Sequence, residues 1–265
     1  MGNDGIARIK HSFEKNDSIK LMTHIISGFP NLDESERIVH AMARAGADLV
    51  EVQIPFSDPT ADGPVIVGAN VDALATGVST KDVLAMMKRL SHDCDIPILA
   101  MTYLNPVFAF GVERFIETIA ASGVSGVIIP DCPPEEDLGL IGLSNKARIA
   151  FVPLIAPSTS QERMRYLGSV SDSPFVYTVM RLGVTGKKTE VGDDVARYCS
   201  TVKKNSGRFV AAGFGIRDRG QVVSLQGMAD CAIVGSAVTE AVRKAHDAGT
   251  SAAEAASRLV TKLKG

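Results

Sequence analysis

Along the chain, short runs of apolar and β-branched residues alternate with longer stretches in which apolar positions recur every three to four residues. The first pattern is that of strands buried on both faces, and the second that of amphipathic helices. Their regular alternation predicts parallel strands joined by crossover helices. Eight such runs are legible, at residues 21–26, 49–54, 98–103, 126–129, 149–154, 175–179, 209–212 and 231–234. The helices between them carry readable ends: Ser79 with Asp82 and Thr159 with Glu162 form capping-box patterns, and Gly46 follows the repeat Ile38, Met42, Ala45 as a C-terminal stop. An open doubly wound sheet is the alternative architecture, but no Gly-x-Gly-x-x-Gly follows the first run, and evenly spaced strands favour closure. The expected fold is α/β, a (β/α)8 TIM barrel with an extra N-terminal helix. No composition shift or Pro/Gly/Ser linker interrupts the alternation, so residues 1–265 are expected to form a single barrel domain.

Composition narrows the function classes. With 45% hydrophobic and 22% charged residues the chain has the apolar content for a large core. Its 28 Lys and Arg balance 30 Asp and Glu, and no basic run or aromatic-basic stripe offers a footprint for nucleic acid. No stretch reaches the roughly 18 apolar residues of a membrane helix, and residues 1–20 are polar and helix-like rather than a signal sequence, so a cytoplasmic protein is expected. Cys94, Cys132, Cys199 and Cys231 are far apart and form no Cys-x-x-Cys pair, which predicts buried reduced thiols rather than a disulfide framework or zinc site.

In a barrel the chemistry belongs at the C-terminal ends of the strands and in the loops that follow. None of the eight runs contains a lysine, which leaves a Schiff-base mechanism without a candidate, and only His24 of the five histidines lies on a run. Without a cluster of His and carboxylate ligands no metal is expected. What remains at the strand ends is a set of carboxylates, Glu51, Asp58, Asp62 and Asp131, suited to proton transfer. Glu51 interrupts a parallel-sheet strand with apolar neighbours on both sides, where an unpaired carboxylate costs on the order of several kcal/mol. Two readings fit it: a core Glu satisfied by tyrosine or backbone donors, or a general acid/base. The loop after this strand, stiffened by Pro55, Pro59, Gly63 and Pro64, can return Asp62 over the barrel mouth, although Asp58 and Asp62 taken alone also suit turn or cap positions.

A second constellation is glycine-rich. Arg181-Leu182-Gly183-Val184-Thr185-Gly186, Gly213-Phe214-Gly215-Ile216 and Val234-Gly235-Ser236-Ala237 follow the last three strands. Each glycine pair alone could simply make a turn. Together they offer backbone amides where barrels hold a phosphate.

The segment from Glu51 to Pro64 resembles the signature of the tryptophan synthase alpha subunit. The resemblance extends through Met101 to Pro106, Ile129 to Pro133, Arg181 to Gly186, Gly213 to Ile216 and Val234 to Ala237. It implies retro-aldol cleavage of indole-3-glycerol phosphate to indole and glyceraldehyde 3-phosphate, a lyase step of tryptophan biosynthesis with no cofactor in this chain. By resemblance, Glu51 is the proton-transferring glutamate, Asp62 faces the indole N–H, and Tyr177 lies near the reacting centre. Ile66, Tyr103 and Phe214 fall where the family lines the indole pocket, Thr185 would position Asp62, and Gly186, Gly215, Gly235 and Ser236 would hold the phosphate. The implied partner is a pyridoxal-phosphate-dependent beta subunit in an alpha2-beta2 complex.

Three positions depart from the family pattern: Gln53 where glycine is common, His24 where the pocket is usually apolar or aromatic, and Thr60 where the loop usually carries an aliphatic residue. Gln53 shares the strand face of Glu51 by period two and His24 lies on the neighbouring strand, so a polar pair beside Glu51 is expected. Two rival functions remain open: a non-catalytic regulatory subunit, and a stand-alone lyase releasing indole.

Overall fold

A computed structural model describes residues 4–179, 192–213 and 215–265. The strands are β1 (Lys20–Ile26), β2 (Leu49–Gln53), β3 (Ile98–Met101), β4 (Gly126–Ile128), β5 (Ala150–Phe151), β6 (Leu154–Ile155), β7 (Phe175–Val179), β8 (Phe209–Gly213) and β9 (Cys231–Val234). All pair in parallel, in the order β5-β4-β3-β2-β1-β9-β8-β7-β6. Eight runs become nine strands because Pro153 divides the fifth. Before it, the Val152 N–H donates to Val127 O on the β4 side; after it, the Pro153 carbonyl accepts from Tyr177 N on the β7 side. Proline has no N–H to continue a ladder, so the run changes partner at this residue and carries the sheet round into a barrel.

Period-two alternation sorts the side chains into two cores. Leu21, Ile25, Val50, Val52, Ile98 and Ala100 point outward into the layer beneath the helices. Met22, Leu49, Leu99, Met101, Ile128, Phe175, Ala211, Cys231 and Ile233 fill the interior. The extra N-terminal helix is present as α1 (Gly5–Glu14), and it closes the lower mouth by setting Ile6, Ile9 and Phe13 into that interior cluster. Phe13 stacks on Phe175 and Phe209 with ring centroids 5.3 and 4.9 Å away, contacts worth about 0.5–1.5 kcal/mol each beyond area burial. Lys20, the first residue of β1, is also at this lower end, its amine donating to the Asn16 carbonyl and side chain. It is remote from the other mouth, where the remaining polar interior residues gather.

Helix ends follow the sequence with one correction. Ser79 and Asp82 form the expected capping box on α4 (Thr80–Asp93), and Gly46, at φ 101°, lies just beyond the C-cap of α2 (Leu32–Arg44). The helix spanning Gln161–Ser169 is capped by Ser160, which accepts from Arg163 N, and not by Thr159. The Thr159 hydroxyl is engaged one turn earlier, accepting from Ala156 N, so the helix begins one residue later than expected. All four cysteines are buried and free. Among the described residues no helix is long and apolar enough to cross a membrane.

Candidate active site

β1 and β2 run in register with His24 opposite Glu51, so both side chains project into the upper half of the barrel. Glu51 is 2% exposed. Its Oε2 lies 3.3 Å from His24 Nδ1, an ion-pair approach that is not aligned as a hydrogen bond, and this oxygen has no hydrogen-bond partner among the described residues. Glu51 and His24 line a cavity together with Asp62, Tyr177 and Ile66, and Gly213, Gly215, Gly235 and Ser236 also border it.

Asp62 reaches this cavity because its loop is held at several points. Asp62 N donates to Pro59 O, Ala61 N donates to the Tyr103 hydroxyl at 3.2 Å, and Phe56 N donates to Asn70 Oδ1 at 3.0 Å. Asn70 is a buried polar residue of α3 (Pro64–Ala75) whose amide N–H donates to Ile66 O of the same helix, which orients its oxygen toward the loop. The Asp62 carboxylate accepts from Tyr103 O–H at 3.0 Å and from Gln53 Nε2–H at 2.9 Å, both at Oδ2. Burial raises its pKa above the usual aspartate value, against the lowering influence of His24 and these two hydrogen bonds. Tyr177 is held in its protonated form well beyond the ordinary range, first by burial and then by the negative charges of Glu51 and Asp62.

The structure therefore brings together most of the residues singled out in the sequence. Tyr103 is placed differently from the rest: fully buried, it stands behind Asp62 and stacks obliquely on Phe56 at 5.5 Å rather than lining the cavity. Asp58 is exposed and accepts from Ser57, and Asp131 accepts from Leu104 N at the start of the helix Leu104–Phe110, which makes both of them turn and cap residues. Thr60 is exposed on the loop. Thr185, Gly186 and Phe214 lie outside the described residues, as does the whole segment from Arg181 to Gly186. Gly215 has φ 74°, a conformation natural to glycine, and Gly235 precedes the helix Ser236–Asp247, whose first turn faces the cavity. Gly213 leaves room for the Tyr177 ring, which would lie 3.2 Å from an added Cβ.

Asn70 was missed by sequence reasoning, though a lone amide on the buried face of a largely apolar helix is a signal of the same kind as Glu51. Gln53 and His24 were expected to pair, and they do: His24 Nε2 lies 2.9 Å from Gln53 Oε1.

Comparison with known proteins identifies the family. The sequence model of the family described as "Tryptophan synthase alpha chain" matches residues 11–265. Similar relatives include the tryptophan synthase alpha chains of Syntrophotalea carbinolica, 41% identical over 89% of this chain and 92% of the relative, and Caldanaerobacter subterraneus, 39% identical over 86% of each. Among solved structures, tryptophan synthase of Mycobacterium tuberculosis superposes with a TM-score of 0.88 at 32% identity, covering 97% of this chain and 96% of that one. Tryptophan synthase subunit alpha of Legionella pneumophila superposes with a TM-score of 0.89 at 29% identity, covering 100% and 97%. The chain belongs to the tryptophan synthase alpha chain family, the carbon–carbon lyases of tryptophan biosynthesis.

Proposed function

We propose that the chain cleaves indole-3-glycerol phosphate at the cavity bounded by Glu51 and Asp62, yielding indole and glyceraldehyde 3-phosphate. The observation that carries this reading is the Glu51 carboxylate, buried in the barrel with an oxygen that no aligned donor saturates, facing the same space as Asp62. The reaction needs a proton at indole C3, a base for the glycerol hydroxyl and a negative charge near the indole nitrogen. Glu51 supplies the first two in turn and Asp62 the third. Ile66 gives the ring an apolar wall, and Tyr177 stands across the cavity from Glu51. The phosphate rests on amides at Gly215, Gly235 and Ser236, with Gly186 and Thr185 completing the mouth by family resemblance. No cofactor is invoked in this chain.

The partner that the reading implies is a beta subunit carrying pyridoxal phosphate, in an alpha2-beta2 complex in the cytoplasm, with residues 1–265 as one barrel domain. Docking over the catalytic mouth orders the loop that carries Asp62 and excludes water, shifting the population toward the competent state. The test is to follow cleavage by this chain alone and with the beta subunit of its own organism. Slow cleavage alone and a rate raised about a hundredfold by partner fits a shift from roughly 1% to near-full population. Fast cleavage unchanged by partner identifies a stand-alone lyase, and no cleavage in either arm identifies a regulatory subunit.

A further inference from the structure

Gln53 does more than pair with His24. Its Nε2 donates to Asp62 Oδ2 while its Oε1 meets His24 Nε2, so the amide bridges the two sides of the site. The directions of these bonds are fixed by chemistry. The Tyr103 oxygen already accepts from Ala61 N, so its own proton goes to Asp62. An ionised Asp62 accepts only, so the NH2 of Gln53 turns toward it and the amide oxygen is left facing His24. His24 Nε2 must then carry a hydrogen. With that nitrogen committed, a single question remains at Nδ1, 3.3 Å from Glu51 Oε2. Nδ1 protonated beside a carboxylate and Nδ1 bare beside a carboxylic acid are two forms of one singly protonated pair, and a bare Nδ1 beside a carboxylate is what remains once that proton has been given up.

We propose that His24 and Gln53 are positioning residues for the cleavage: Gln53 locks His24 with hydrogen on Nε2, so that His24 Nδ1 and Glu51 share the proton that Glu51 gives to the indole ring. The inference rests on the reading of Glu51 given above. Its proton count closes over one turnover. Glu51 hands the shared proton to C3, leaving a carboxylate beside a neutral imidazole. As the carbon–carbon bond breaks, its electron pair returns to the ring and restores aromatic indole. The glycerol hydroxyl becomes the aldehyde carbonyl, and its proton passes to Glu51, which restores the pair.

The surroundings favour retention of that proton. The titratable groups facing His24 are Glu51 from β2 and Asp62 from the following loop, with Tyr177 lining the same cavity from β7; Tyr103 stands behind Asp62, and the β9 side contributes Gly235 and Ser236. No lysine or arginine lines the cavity among the described residues. Burial disfavours charge on the imidazole, but the Glu51 carboxylate, with its close contact, and then Asp62 outweigh it and hold the His24 pKa above the ordinary imidazole value. The ring packs against the β9 side: a Cβ on Gly235 would stand 3.5 Å from the His24 Cβ and 3.7 Å from its Cγ, in van der Waals contact.

The experiment is the pH dependence of single-turnover cleavage of indole-3-glycerol phosphate by the full chain, for native protein, His24→Phe, Gln53→Met and Glu51→Gln. A lone carboxyl group ordinarily surrenders its proton at lower pH than an imidazolium does. His24→Phe should therefore approach the native rate at the acid end, where a lone carboxyl still holds its proton, and fall behind by up to about tenfold per pH unit as pH rises from there. Gln53→Met should move the alkaline limb the same way by less. A purely structural role would lower the rate by a constant factor, and parallel profiles for native and His24→Phe overturn the proposal. If Glu51→Gln retains the rate, it is the assignment of Glu51 that fails instead. Should His24→Phe not fold, 15N spectra of the histidine-labelled native chain decide the matter. Nε2 of His24 protonated throughout, with Nδ1 titrating in the range of the rate, supports the proposal, and a bare Nε2 overturns it.

Discussion

The two mouths of the barrel hold carboxylates in opposite ways. At the lower mouth, Asp48 accepts from Leu21 N at 2.7 Å and pairs with Lys264, while Asp230 accepts from Val210 N at 2.8 Å and pairs with Lys203. Each is tied to a backbone amide and to a lysine, and each joins a strand to an element outside it. At the upper mouth Glu51 Oε2 has neither a backbone donor nor a lysine among the described residues, and Asp62 is held by a phenol and an amide. The lower pair is held in a fixed geometry; the upper pair, on the proposal made above, works by a proton that moves. Saturation by fixed donors turns a carboxylate into a structural bolt, and its absence leaves a group available for proton transfer.

The largest expected effect is at the upper mouth. Glu51→Gln preserves shape but cannot relay a proton, so cleavage should fall by about 10²–10⁴-fold while circular dichroism and the unfolding midpoint stay near native. A variant that keeps more than about a tenth of the rate removes Glu51 from the chemistry. Asp48→Ala should do the reverse. It strands the Leu21 N–H and leaves Lys264 without its partner, costing about 1–3 kcal/mol in urea denaturation, with cleavage per folded molecule unchanged. If Asp48→Ala also impaired cleavage, the two mouths would not be separable.

Much of this division was legible in the sequence. A charged residue in the middle of an apolar run marked Glu51, and strand period put His24 and Gln53 beside it. The barrel followed from alternation, but the break in its fifth strand did not, although Pro153 stands in plain view within the run. The period of a short apolar segment is the same whether it pairs on both sides throughout or changes partner midway. The closure of Gln53 on Asp62 was likewise hidden, because it depends on where the loop returns. That path is set by contacts from Tyr103 and Asn70, which are distant in sequence. Thr159 and Ser160 are adjacent hydroxyl residues, and pattern alone does not say which becomes the cap; the turn at Ala156 decides it.

A smaller effect should sharpen the upper mouth's other wall. Gly235→Val adds branches where a phosphate would approach the first turn of the helix Ser236–Asp247 and where His24 already packs. Raising KM by about tenfold with little change in kcat is the expected outcome, equivalent to about 1.4 kcal/mol of lost binding. A ligand complex with the phosphate held elsewhere, or an unchanged KM, would remove the glycines from this role.

The smallest effect concerns stability and follows from the shared proton. The folded pKa of His24 is raised above its ordinary 6.5, so the folded chain binds this proton more tightly than the unfolded chain. The resulting stabilisation is fully present below about pH 6.5 and is lost as pH rises through the folded value, with about 1.4 kcal/mol for every pH unit that separates the folded pKa from the unfolded one. Asp62 acts in the same direction in a more acid window. Its folded pKa is raised from 3.8, so stability from that group also declines as pH climbs from there through the raised value. The lower-mouth carboxylates remain in native and variant alike and cancel in the difference between them. Urea denaturation of native protein and His24→Phe at a series of pH values should therefore show the native advantage greatest in acid and shrinking as pH passes upward through the imidazole range. A difference that stays constant across that range would mean that His24 contributes packing alone, and that no proton is held more tightly at the upper mouth than in the unfolded chain.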